Sequence, residues 1–118
     1  MISTKTTREI EVMRESGAIA RLAIDAAQKA ARPQISTLEL NNIAEEVIIK
    51  AGASPCFKGF ENYPFATCIN VNSGIVHGLP GEYRLQVDDV VSIDLGVRYK
   101  GLVTDVSATF EVGTGRES

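Results

Sequence analysis

Two aspartates lie in stretches where carboxylates are out of place. Asp94 follows Val90-Val91-Ser92-Ile93 and precedes Leu95, within a nearly continuous apolar run. Asp105 sits inside Leu102-Val103-Thr104-Asp105-Val106-Ser107. Aspartate is depleted from strands, and a carboxylate among apolar neighbours is costly unless it is paired or bound to a metal. The two runs flank Tyr99-Lys100-Gly101, so they read as a hairpin. A loop from Arg98 to Gly101 places Asp94 directly opposite Asp105, with Cβ atoms about 4.5–5.5 Å apart. A loop of Lys100-Gly101 alone makes them diagonal neighbours, about 7–8 Å apart. Either register sends both side chains to one face, because strand side chains alternate with period two. Two like charges that close repel, and a divalent cation or a shared proton relieves them. The plain alternative is an exposed pair with no ligand. The apolar neighbours of Asp94 favour the metal.

Other candidates are weaker alone. His77, in Val76-His77-Gly78-Leu79-Pro80, is the single histidine of the chain. Glycine and proline after it fix a turn that suits a held side chain, although a lone histidine near a turn is more often structural. Residues 54–64 form a loop unusually rich in aromatics, and Phe57, Phe60, Tyr63 and the following Phe65 lie near Cys56 and Cys68. These residues can line a small apolar pocket, or simply pack a core. The cysteines are twelve apart, which is not a zinc-ribbon spacing, so they read as small free hydrophobes. No glycine pattern matches a nucleotide loop.

The elements that must position these residues follow from periodicity. Thr6 with Glu9 forms a capping-box pattern, followed by Ile10, Met13, Gly17, Ala20, Ile24 and Ala27 at helical spacing. Pro33 ends that helix. Ser36 with Glu39 opens a second helix bearing Leu40, Ile43, Val47 and Ile48, and Gly52 sits at its C-terminal cap. Strands are expected from Phe65 to Val71, Val90 to Val97 and Leu102 to Val112, with a short extended piece at Ile75-Val76. Helices first and antiparallel strands afterwards give an α+β fold.

Composition sets the outer bounds. The chain has 118 residues, 44% of them hydrophobic and 23% charged, as in an ordinary folded domain. Its net charge of −3 disfavours a nucleic-acid partner held by bulk charge. No run of eighteen apolar residues spans a membrane, and Met1-Ile2-Ser3-Thr4-Lys5 lacks the apolar core of a secretory signal. With two cysteines, a reducing cytoplasm is the expected compartment. With one histidine, any metal site made by this chain must be mostly carboxylate.

Taken together, these pieces resemble the N-terminal half of a methionine aminopeptidase of the type I, bacterial-like form. The resemblance rests on Phe57-Lys58-Gly59-Phe60, Tyr63-Pro64, Asn70-Val71-Asn72, Val76-His77-Gly78-Leu79-Pro80, Asp88 through Gly96, and Tyr99-Lys100-Gly101 through Asp105. It runs from about Thr7 to Gly113 in family order. It implies half of a pita-bread fold and hydrolytic removal of N-terminal methionine with two divalent metal ions (Co, Mn, Fe or Zn). By resemblance, Asp94 chelates one metal and Asp105 bridges both. His77 contacts the substrate near the scissile bond. Phe60, Tyr63 and Cys68, with Cys56 or Phe57, line the methionine pocket.

The departure from the family is large. The remaining ligands, one histidine and two glutamates, and a further catalytic histidine come from a second half. After Asp105 only Glu111 and Glu117 follow, and Glu111 lies roughly 20 Å along the strand. Residues 1–118 therefore read as one incomplete domain, inactive alone and apt to self-associate or pair with a C-terminal half through an exposed apolar sheet edge and face. Proline-directed relatives share the fold but usually carry a preceding domain. A different reading is a non-catalytic half that binds a protein partner.

Overall fold

A computed structural model describes residues 6–59, 62–72 and 79–113. The first helix, α1, spans Thr7–Ala30, and the second, α2, spans Thr37–Lys50. Both start in complete capping boxes: Thr6 exchanges hydrogen bonds with Glu9, and Ser36 with Glu39. Each box satisfies two backbone donors that a helix start leaves without partners. Gly52, at φ +85°, takes the left-handed position past α2 that glycine adopts without strain.

The buried face of α1 carries Val12, Ser16, Ile19, Ala20, Ala23, Ile24 and Ala27. This corrects the sequence stripe at its N-terminal end, where Ile10 and Met13 are exposed. In the first turns Val12 and Ser16, not the bulkier pair, face the sheet. The α2 face buries Leu40 and Ile48 as expected and adds Thr37, Asn41 and Ala44, while Ile43 and Val47 are only partly buried against the core.

Among the described residues four strands follow: β1 (Ser54–Pro55), β2 (Thr67–Val71), β3 (Val90–Tyr99) and β4 (Leu102–Glu111). All pairings are antiparallel. Long β3 is the organising strand. It pairs with β4 along its whole length on one side. On its other side it pairs with β1 near Val97 and Arg98, and with β2 from Val91 to Leu95. The β3–β4 turn is Lys100-Gly101, with φ of +49° and +84°. Two positive φ values make the twisted two-residue turn that suits a hairpin.

Both helices cover one face of the sheet, α1 against β3 and β4, α2 against β1 and β2. Val91, Ile93, Leu95 and Val97 of β3 point into that layer and pack with Ile24, Leu40, Ile48, Ile69 and Leu85. Fully burying a side chain of this size contributes about 1.5–3 kcal/mol. The apolar run around Asp94 is thus an alternating strand: Ser92, Asp94 and Arg98 occupy the opposite face. Asp94 is exposed on that face, not enclosed by its sequence neighbours. The open face bears Cys68, Asn70, Ser92, Asp94, Asp105, Ser107 and Thr109. These strand positions are mostly polar, with Val90 and Val103 as apolar exceptions, so the described part of the face is less apolar than expected.

Candidate functional site

The register decides how the aspartates meet. Asp94 pairs with Ser107, and Gly96 pairs with Asp105. Asp94 and Asp105 are therefore diagonal neighbours on the open face, as the two-residue loop requires. Across β3, Cys68 pairs with Asp94. One row of the open face thus reads Cys68, Asp94, Ser107. The next holds Gly96 and Asp105, and the Cys56 backbone joins it by donating its N–H to the Gly96 carbonyl at 3.0 Å.

Gly96 has no Cβ, and three groups use the space. A Cβ built there meets the Cys56 thiol, Asp105 Oδ1 at 2.7 Å and the Phe57 ring edge at 3.0 Å. The chain leaving β1 can therefore lean across the sheet. The Cys56 sulfur lies 4.0 Å from Asp105 Oδ1. Phe57, Asp94, Leu95, Asp105, Val106 and Ser107 line a cavity of about 310 Å³.

The aromatic loop closes the β2 side. Tyr63 donates its hydroxyl to the Thr67 carbonyl at 2.6 Å and packs edge-on against Phe65, with ring centroids 5.7 Å apart. Burial, then the neighbouring Cys68 thiol, holds the Tyr63 phenol far above its ordinary pKa, so it stays neutral. Burial, and then the Asp105 charge, likewise pushes the Cys56 thiol up. Cys56 therefore faces Asp105 as a neutral thiol.

Deeper contacts fix the strands that carry these groups. Asn41 Oδ1 accepts from the Ala66 and Thr67 N–H groups, both at 3.0 Å, and from the Thr67 hydroxyl at 2.8 Å. Those bonds anchor the start of β2, one residue before Cys68. At the other end of β2, Asp89 accepts from Asn72 Nδ2 at 3.0 Å, the Tyr83 hydroxyl at 2.7 Å and the Gln86 N–H at 2.8 Å. Burial opposes its charge, but the donors win and hold its carboxyl below the usual aspartate range.

Among the described candidates Phe57, Asp94 and Asp105 line one cavity, Cys56 touches Asp105, Cys68 pairs with Asp94, and Tyr63 lies by Cys68. Phe60 and His77 lie outside the described residues, as does the expected extended piece at Ile75-Val76. Gly96, Ser107 and Asn41 were not among the sequence candidates. A glycine inside a strand is a signal of close approach, so Gly96 had a readable cue.

The carboxylate pair fits a hard divalent cation in donor type. Both groups are acidic oxygens on one exposed face, and every ion pair among the described residues involves other side chains. The fit is partial. Among the described residues no third histidine, cysteine, aspartate or glutamate completes a metal-binding group.

In sequence and fold the chain is similar to known metallopeptidases. The sequence pattern of metallopeptidase family M24 matches residues 11–118. Methionine aminopeptidase of Clostridium perfringens is 45% identical over 113 residues, covering 96% of this chain and 45% of that protein. The crystal structure of methionine aminopeptidase from Thermotoga maritima superposes with a TM-score of 0.88 at 37% identity, covering 96% of this chain and 46% of that one. Prolidase from Pyrococcus furiosus superposes less closely, with a TM-score of 0.77 at 29% identity, covering 92% and 31%. The two helices and antiparallel sheet are those of the pita-bread enzymes. The chain spans just under half the length of the curated relatives it matches, at 45% and 46% for two of them.

Proposed function

Because the chain belongs to metallopeptidase family M24, we propose that it supplies half of a divalent-metal site that releases N-terminal methionine from peptides. The observation that carries this reading is the placement of Asp94 and Asp105 on adjacent strands, facing one cavity beside Phe57. When bound, two divalent ions supply Lewis acidity for a peptide carbonyl and an acidified water as nucleophile. The chain's own residues do the holding and selecting. Asp94 and Asp105 are the metal-facing carboxylates. Cys56, Phe57, Tyr63 and Cys68 form an apolar wall suited to a thioether side chain. Tyr63 presents its ring to that wall, because its hydroxyl is committed to Thr67. Phe60 joins the wall and His77 contacts the substrate near the scissile bond, both by family resemblance.

Residues 1–118 act here as one incomplete, cytoplasmic domain. Two carboxylates offer too few donors for two ions, so these residues do not catalyse alone and pair with a C-terminal half or with each other. The test is calorimetry with Mn²⁺ on the 118-residue chain. We expect measurable binding that Asp94→Ala and Asp105→Ala each abolish. We also expect no turnover of a Met-Ala peptide with Mn²⁺ or Co²⁺ present. Turnover at the rate of an intact family member would overturn the half-site reading. Absence of Mn²⁺ binding would transfer the open face to a non-catalytic role in binding a protein partner.

A further inference from the structure

We propose that Gly96 is a positioning residue: the space it leaves on the open face seats the Cys56 thiol and the Phe57 ring against Asp105, and so aims the Asp105 carboxylate at the cavity it shares with Asp94. The inference rests on the metal-site reading above and adds to it the gap that sets one ligand's direction.

Three observations carry it. First, Gly96 pairs with Asp105, so the strand geometry places the missing Cβ beside that carboxylate. Second, the three nearest atoms that a Cβ would meet all belong to side chains: the Cys56 sulfur, Asp105 Oδ1 and Phe57 Cε1. Third, Gly96 is not one of the residues at positive φ, so alanine suits its backbone. A methyl group there overlaps the Cys56 sulfur outright, so the side chains around the gap must be displaced. What must move is the carboxylate, the thiol and the ring edge. Ordinary glycine positions in this chain differ. At Gly17, Gly52, Gly59 and Gly101 an added Cβ would have nothing within 4 Å, so filling them displaces no side chain.

The experiment is a size exchange across the gap, read by Mn²⁺ calorimetry, thermal unfolding and mass-spectrometric mapping of Cys56 alkylation by iodoacetamide. Gly96→Ala is expected to retain a cooperative unfolding transition and to bind Mn²⁺ about 10- to 100-fold more weakly, the range for losing a group that orients a ligand. Gly96→Ala with Cys56→Ala is expected to recover most of that affinity, because removing the sulfur gives Asp105 room to return. Rescue of this kind separates positioning from general damage to the fold. Cys56→Leu fills the same gap from the residue after β1 without altering β3 and is expected to weaken binding similarly, which keeps the test decisive if Gly96→Ala does not fold. Wild-type affinity in both Gly96→Ala and Cys56→Leu would overturn the proposal. If the wild-type chain binds no Mn²⁺, the metal reading fails by itself and alkylation then judges the gap. Faster Cys56 alkylation in Gly96→Ala supports the seating of the thiol, and an unchanged rate overturns it.

Discussion

Asn41 is a polar residue on the buried face of α2, and its side-chain oxygen accepts hydrogen bonds from two backbone N–H groups and a hydroxyl. All of those donors lie at the entry to β2, where water cannot replace the lost partner. Asn41→Ala should therefore cost about 3 kcal/mol, because each orphaned buried donor carries a penalty of about 1–3 kcal/mol. Chemical denaturation should show a lowered midpoint with an unchanged slope. Exposed Glu46 on the same helix is the control: Glu46→Ala gives up only a surface pair with Lys50 and should shift stability by no more than about 0.5 kcal/mol. Equal effects at both positions would mean that β2 is held by packing alone. Nothing in the local sequence announces this role. Asn41 lies 25 residues from Ala66, and only the fold brings them together.

At the scale of elements, Asp89 ties the end of β2 to the start of β3 and to the segment around Tyr83. Its folded-state pKa lies below the ordinary aspartate value of 3.8, through the donors of Gln86, Tyr83 and Asn72 working against burial. A depressed carboxyl contributes stability that is fully present above its unfolded pKa and is lost as pH falls through the folded one. The wild-type chain should accordingly lose stability below about pH 4. Asp89→Asn should lower stability at neutral pH by about 1–3 kcal/mol, since an amide NH₂ then faces a donor. It should also flatten the acid limb of the stability profile. A variant that keeps the wild-type pH slope would place the acid sensitivity elsewhere.

The same scale shows what periodicity can and cannot reveal. Both helices, their capping boxes and the β3–β4 hairpin were legible, because each is written in residues three or four apart, or two apart. The shared face of Asp94 and Asp105 was legible for the same reason. Their diagonal placement was not, because two loop lengths suit the residues between Val97 and Leu102. The structure selects Lys100-Gly101 by giving both residues positive φ. The exposure of Asp94 was masked by composition: Val91, Ile93 and Leu95 make the strand look apolar throughout, although only alternate positions enter the core. The glycine inside β3 signals a close approach, but that Cys56 and Phe57 are what approach it depends on the long-range pairing of β1 with β3, which no local pattern encodes.

Considered whole, the molecule is a one-sided sheet. Helices cover one face, and the other face is a mostly polar surface holding the carboxylates. Exposed polar residues need no cover to remain in water, so the open face gives little drive for association. The drive lies instead at the margin. Among the described strands β4 pairs only with β3, which leaves one side of a ten-residue strand without a neighbour. Val103, 47% exposed, adds an apolar contact on the same strand. A free strand edge recruits another chain through its backbone groups, and a charge on the edge opposes this. The 118-residue chain is therefore expected to show a molar mass that rises with concentration across the micromolar range in light scattering. Val103→Lys should shift that rise to higher concentration while leaving the monomer folded, because Val103 contributes nothing to the buried core. A C-terminal half that continues the sheet from β4 should suppress the rise in the same way. A monodisperse monomer at every concentration would mean that the strand's own twist and its acidic residues, Asp105 and Glu111, already guard the edge.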